Sequence, residues 1–314
     1  MAFGQMTPPA VFPPILGTLG LALAWRRSAE MLGAPGWIGE VVLGAITALY
    51  LFAALAYLAK LFRRPGVFRE DLSIVPGRAG LAAACISAMV LAAGLTPYAP
   101  GLARVLLALA LAGQAAVAIG ILQHLWHAPF AARRMNPVWQ LTFVGFIVAP
   151  VAAIPLGWTG LAELILVLTL PMAITIWVGH GLMMLAADTP PPMRPLLAIH
   201  LGPASLLGLG AAGLGMSALA LAFAIWSVII AAILVVRFRY LTVAGFTPFW
   251  GAFTFPLAAF TNLMLVMSPV AAPFGWLGAI ALAGASLLIP YVLVRVTQLW
   301  TRGKLAGITN AARA

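Results

Sequence analysis

Ile38–Phe62 reads IGEVVLGAITALYLFAALAYLAKLF, and this stretch decides the fold class. Between Glu40 and Lys60 it offers 19 residues without a formal charge, close to the roughly 20 apolar residues that cross a ~30 Å hydrocarbon core as a helix. It ends in a basic connection, Leu61–Arg78. Similar runs precede and follow it. Read outward in both directions they are Val11–Trp25, Gly77–Leu95, Gly101–His124, Val138–Gly157, Leu161–Leu185, Pro195–Gly215, Ser217–Val236, Gly245–Met267 and Pro273–Trp300. With Ile38–Phe62 they make ten expected transmembrane helices, an all-α integral membrane protein occupying residues 1–314 as a single transmembrane domain.

Composition supports that class. Of 314 residues, 64% are apolar and 7% charged, against about 25% charged in an ordinary soluble domain. Met1–Ala10 has no basic n-region and no small-residue cleavage site follows, so the first run is expected to stay as a helix. A single cysteine, Cys85, cannot form an internal disulfide, and inside the third span it is read as a small buried residue.

Basic residues set the expected orientation, because Lys and Arg near span ends are retained in the cytoplasm. Lys60, Arg63, Arg64, Arg69, Arg78, Arg133, Arg134, Arg194, Arg237, Arg239, Arg295, Arg302, Lys304 and Arg313 fall in even-numbered connections or the C-terminal tail, which is 14 of the 17. Arg26, Arg27 and Arg104 lie on the other side. Both termini are therefore expected in the cytoplasm of a bacterial inner (plasma) membrane. The net charge of +11 is mostly this topological signal, so no nucleic-acid partner is inferred from it.

Basic connections such as Leu61–Arg78 and Pro129–Pro137 alternate with short apolar ones. They divide the chain into five helical hairpins with a period of about 50 to 65 residues, the kind of repetition from which transporters build a central pathway. Pro13, Pro14, Pro150, Pro155, Pro203 and Pro256 fall in odd-numbered spans, where a missing backbone donor kinks a helix and suits it to line a cavity. Pro171 and Pro290 fall in even ones, so the pattern is imperfect.

The six acidic residues, Glu30, Glu40, Glu70, Asp71, Glu163 and Asp188, all lie at or beyond span ends. Cation pathways commonly need buried acids to replace ion hydration or relay protons, so their absence favours small anions or neutral solutes. His124, His127, His180 and His200 map to the cytoplasmic half. Interfacial packing, pH sensing, and metal or haem binding are their three readings. No carboxylate or cysteine ligand accompanies them and no two-helix histidine pairing is supported, so neither metal nor cofactor is expected. No nucleotide loop, nucleophile elbow or zinc cluster appears, and the chain is not expected to be an enzyme.

Five segments carry a family resemblance over nearly the whole chain: Phe12–Arg26, FPPILGTLGLALAWR; Phe68–Gly80, FREDLSIVPGRAG; Pro137–Pro150, PVWQLTFVGFIVAP; His200–Leu206, HLGPASL; and Phe249–Phe260, FWGAFTFPLAAF. In this order they resemble the tellurite-resistance/dicarboxylate transporter family, the TehA-like proteins related to plant slow anion channels. The resemblance implies five tandem hairpins around a pseudo-fivefold central pore, odd helices inside and even ones outside, assembled as a homotrimer in membrane lipid. It also implies a pore gate, a phenylalanine directly before a proline or glycine on the ninth helix, which here is Phe255 before Pro256. Phe253 would face elsewhere. Gly17, Gly20, Gly145 and Gly202 are expected to pack helices closely around the pore. Phe146 stands where many relatives are polar, which would alter anion preference. The implied function is an anion channel or exporter; a proton-coupled carrier for dicarboxylate, sulfite or tellurite is the alternative.

Reporter fusions after Arg78, Arg134, Arg194, Arg239 and Ala314 should all be cytoplasmic, and fusions near Pro35, Pro97 and Pro273 should lie on the opposite side. A C-terminal reporter on the far side of the membrane would overturn the ten-helix topology.

Overall fold

The computed structural model describes residues 4–129 and 133–314. The first three residues of Met1–Ala10 and three residues of the Pro129–Pro137 connection lie outside the described residues. Among the described residues the chain is helix and turn with no β-strand. The helices are α1 (Phe12–Leu32), α2 (Trp37–Arg63), α3 (Gly66–Ser73), α4 (Val75–Leu95), α5 (Pro100–His127), α6 (Gln140–Ala153) and α7 (Thr159–Ala186). They continue with α8 (Pro191–Gly213), α9 (Ser217–Val236), α10 (Phe238–Leu241), α11 (Pro248–Met267), α12 (Ala272–Thr301) and α13 (Lys304–Ile308).

Eight of these are long and apolar enough to cross a membrane: α2, α4, α5, α7, α8, α9, α11 and α12. The first and fifth expected spans differ. α1 has 21 residues but carries Arg26, Arg27 and two prolines, so it is less apolar than the eight. α6 has only the 14 residues Gln140–Ala153, about 21 Å at 1.5 Å per residue, and is irregular. Gln140–Val144 winds in wide π turns, Gly145–Val148 in tight 3-10 turns, and only Pro150–Ala153 is α-helical. Both helices are packed among others, where lipid does not dictate composition.

Two populations of helix result. In α4, α8 and α11, 78% of the most apolar stretch is buried; in α2, α5, α7 and α12 the share is 33%, and in α9 it is 22%. The buried helices touch in sequence around a closed ring: α1 packs on α4, α4 on α6, α6 on α8, α8 on α11, and α11 back on α1. The exposed helices pair with inner ones, as in α1 with α2, α4 with α5, α8 with α9 and α11 with α12. The core therefore lies along the inside of the ring, while residues such as Leu109, Leu168, Ile233 and Leu287 point outward as an apolar coat.

The prolines act differently from the simple kink expected of them. Pro13 and Pro14 sit in the first turn of α1, where a missing N–H costs little, so they start this helix and do not bend it. Pro150 likewise begins the α-helical turn of α6, and Pro203 lies in the first turn after the 3-10 stretch Pro191–His200. Pro155 lies in the turn that follows α6, so Pro256 alone of the six expected kink residues falls inside a regular helix.

At the basic end, Leu61–Arg78 is not an open loop, for it holds α3. Asp71 of α3 forms a fully buried ion pair with Lys60 of α2 at 2.9 Å. Tyr57 donates its hydroxyl to the same carboxylate at 3.0 Å, and Lys60 Nζ also donates to the carbonyl of Thr7 at 3.2 Å. The second carboxylate oxygen accepts the Ala312 N–H at 2.9 Å, tying both ends of the described chain to one buried charge pair. Lys60→Met leaves a buried carboxylate without its cation and should cost about 3–5 kcal/mol, seen as a lowered Tm in detergent. Replacing both partners, Lys60→Met with Asp71→Leu, should lose less. Equal losses would mean that the packing around the pair, and not its charge, carries the stability.

Candidate functional site: the axis of the helix ring

The inside of the ring encloses three small cavities. The first, about 40 Å³ and toward the basic end, is bounded by Pro13 and Leu16 of α1, Ala79 and Ala83 of α4, Leu141 of α6, Ile199 of α8 and Phe255 of α11. The second, about 20 Å³, lies among Ile86, Gln140, Gly145, Gly202, Pro203 and Phe255. The third, also about 20 Å³, includes Gly20 and Arg27 of α1, Val90, Val148, Leu206, and Phe255, Ala259 and Asn262 of α11. A volume of 20 Å³ has room for about one water. Among the described residues, Phe255 is the one that borders all three.

The position of that ring follows from local packing. Gly17 and Gly20 let α1 lie against α11: a Cβ on Gly17 would overlap Thr254, and one on Gly20 would stand 2.9 Å from Ala258 Cβ and 3.3 Å from Phe255 Cδ2. Thr254 spans the contact, donating its hydroxyl to the Pro13 carbonyl at 3.0 Å. Gly145 is equally constrained, because a Cβ there would meet Ile86 Cδ1 at 2.7 Å and Gln114 Nε2 at 3.1 Å. Gly202 is looser, with Pro256 Cγ at 3.8 Å. Three of the four expected packing glycines are thus held tightly, and Gly202 only borders the second cavity.

Phe253 is also buried, but against other partners. Its ring stands edge-on to Trp250 at 5.6 Å between centroids and 6.1 Å from Phe238. It borders an apolar groove between α9 and α12 and none of the three axial cavities. Two residues along a helix turn a side chain by about 200°, which separates it from Phe255. Phe146 borders none of the axial cavities, so the anion preference expected from it has no structural route there.

Among the described residues no carboxylate or histidine borders the three cavities, and Arg27 is the sole charged side chain that does. Sequence reasoning placed Arg26 and Arg27 together as topology markers, yet they do different things. Arg26 turns outward to Glu40, with contacts of 2.5 and 2.6 Å, and to the Gly94 carbonyl at 2.7 Å. Arg27 turns inward and donates to Asn262 Oδ1 at 2.7 Å. Asn262 and Gln140 carried no site role in the sequence reading, and Arg27 only a topological one. The available signal was the polarity of Gln140 and Asn262 within otherwise apolar odd-numbered spans and of Arg27 just past the end of the first.

The histidines correct an expectation. His180 of α7 and His200 of α8 do pair across two helices, ring nitrogens 3.0 Å apart, and His200 Nδ1 is buried without a hydrogen-bond partner among the described residues. His200 borders a groove of about 570 Å³ at the basic end, shared with Arg237, Tyr240 and Asp188. The Tyr240 hydroxyl donates to Asp188, which with Arg194 at 2.7 Å holds that carboxyl below its usual range. His124 and His127 are not part of this pair. Among the described residues no group of three or more His, Cys, Asp or Glu is placed to hold a metal ion.

The sequence profile of one family, described as voltage-dependent anion channel, matches residues 6–297. The chain belongs to that family. No match to the chain is found among curated proteins. Membership of the voltage-dependent anion channel family, together with the eight apolar helices, makes the chain a multi-pass membrane protein of the anion channel or transporter class.

Gly17→Ala should force α1 from α11 and weaken the Thr254–Pro13 hydrogen bond, costing about 1–3 kcal/mol as core overpacking does. Gly202→Ala should be close to neutral. Thermal unfolding of both variants in detergent checks the contrast, and equal Tm values would show that the α1–α11 contact tolerates extra volume.

Proposed function

We propose that the chain conducts small anions along the axis of the helix ring and that the Phe255 side chain closes this path. The observation that carries the proposal is the position of Phe255 at the junction of three axial cavities. On this reading the aromatic ring separates spaces that join when it moves aside. In a narrow apolar passage such a ring excludes water, and an ion stripped of hydration meets a large barrier until the ring swings aside. The closed sequence of contacts α1–α4–α6–α8–α11 supports reading these as the odd members of ten helices. On that reading α1 and α6 are the first and fifth spans, the five hairpins stand around a pseudo-fivefold axis, and residues 1–314 form one transmembrane domain. A homotrimer in a bacterial inner membrane, with both termini cytoplasmic, completes the proposal.

A proton-coupled carrier for dicarboxylate, sulfite or tellurite is the alternative. Proton coupling needs a group that titrates along the path, and no carboxylate or histidine borders the three cavities, which favours passive conduction. The two differ in reversal potential: a channel reverses at the anion's Nernst potential, whereas a coupled carrier's reversal moves with the pH gradient.

Phe255→Ala should raise anion conductance in proteoliposomes at least several-fold, and Phe253→Ala much less. Phe255→Ala should also lose less stability than the roughly 3–5 kcal/mol of a close-packed phenylalanine, because cavities already flank its ring. A conducting Phe253→Ala beside a silent Phe255→Ala would move the gate to the other aromatic, and silence in both would count against an occluded path on α11.

A further inference from the structure

Arg27 and Asn262 stand on the far side of Phe255 from the basic end, and their register follows from the helices that carry them. α1 and α11 run in parallel, since Gly17 meets Thr254, Gly20 meets Phe255 and Ala258, and Arg27 meets Asn262. Asn262 lies seven residues beyond Phe255, and Arg27 seven beyond Gly20, so their Cα atoms lie about 10 Å further along the two helices on the same faces, and their side chains lean back toward the aromatic ring. Asn262 is fixed by its own amide, which donates to the Gly20 carbonyl at 3.0 Å and the Ala258 carbonyl at 2.8 Å. Its oxygen is thereby turned toward Arg27 and accepts one guanidinium N–H at 2.7 Å.

That contact uses one of five guanidinium donors. The others have no hydrogen-bond acceptor assigned among the described residues, and no carboxylate pairs with Arg27 within 4.0 Å. Its neighbour Arg26, by contrast, is neutralised by Glu40. Glu30, one turn further along α1 and exposed, is the acidic group that acts on Arg27 from a distance. The result is a cation oriented by a neutral amide, bordering a cavity of about 20 Å³ whose other walls are mostly apolar.

We infer that Arg27, positioned by Asn262, is a binding site for one small monovalent anion at the end of the path opposite the basic end. The inference rests on the proposed axial pathway and adds to it a place where the anion first exchanges hydration for protein. One fixed positive charge compensates one negative charge. A divalent anion would enter with half its charge uncompensated in an apolar setting, where dehydration of an unpaired charge is expensive. The site therefore discriminates by charge, and it raises the local anion concentration most when salt is low.

The test uses the full chain carrying Phe255→Ala, so that current is measurable, with Arg27→Gln, Arg27→Lys or Asn262→Asp added. Chloride and sulfate currents are recorded in planar bilayers at about 0.01 M and about 1 M salt, where the Debye lengths are about 30 Å and 3 Å. Arg27→Gln should cut chloride current about tenfold at low salt and less than about twofold at high salt, and should reduce the preference for chloride over sulfate. Arg27→Lys should keep most of both properties. Asn262→Asp, which places a carboxylate beside the guanidinium without removing it, should reproduce the salt-dependent loss. An unchanged current, an equal loss at both salt concentrations, or failure of both Arg27→Gln and Asn262→Asp to fold would overturn the site and leave the two residues a structural role. If Phe255→Ala alone carries no anion current, the gate proposal itself fails, which is a separate result from a conducting parent that is indifferent to Arg27.

Discussion

The contact between α1 and α11 is the constraint on which the rest of this structure depends. It joins helices more than 200 residues apart in sequence, and it turns a row of hairpins into a ring. Backbones can approach this closely only where side chains are missing, and Gly17 facing Thr254, with Gly20 facing Phe255 and Ala258, supplies that absence. Within lipid, apolar helices gain little from hiding one another, so closeness and hydrogen bonding must hold them. The Thr254 hydroxyl on the Pro13 carbonyl and the Asn262 amide on the Gly20 carbonyl bridge the same interface. Phe255 lies between these two bridges, so its ring is positioned by the contact that closes the ring of helices.

An inner ring inside an outer coat also explains why α1 and α6 differ in composition and winding from the eight apolar helices. The outer helices face lipid and must be apolar over most of their surface. α1 and α6 face protein, which frees α1 to carry arginines and α6 to abandon regular α-helical winding for π and 3-10 turns. Irregular backbone of this kind is admissible at membrane depth when neighbouring side chains satisfy it. Gln114 of α5 does so here, its amide donating to the carbonyls of Leu141 and Thr142 at 2.9 Å each.

For the proposed anion path, the chemistry along the axis is sparse by design of the lining. Apolar walls bind no ion tightly, so passage would be governed by hydration and by the few fields that reach the axis. One of these is a single guanidinium past Phe255. At the basic end three of the cations are paired with carboxylates: Lys60 with Asp71, Arg64 with Glu70 and Arg194 with Asp188. The opposite end has one ion pair of its own, Arg26 with Glu40, and next to it Arg27, held by a neutral amide.

Much of this was legible from residues alone, for physical reasons that are local. Runs such as Ile38–Phe62 declare a membrane helix because lipid imposes composition residue by residue, and the basic asymmetry follows from the cost of moving Lys and Arg across a bilayer. Family resemblance singled out Phe255 through its adjacent Pro256, a neighbour in sequence. What tertiary structure decided depended on groups distant in the chain. Arg26 and Arg27 are adjacent letters that helical geometry turns about 100° apart, one to Glu40 and the other to Asn262. His180 and His200 lie on different helices, and only the packing of α7 on α8 makes them partners. Pro13 and Pro14 read as kinks until the helix boundary placed them in a first turn, where they have no bond to break. Composition is written along the chain, but direction around a helix and the identity of the facing residue are set by contacts across the ring.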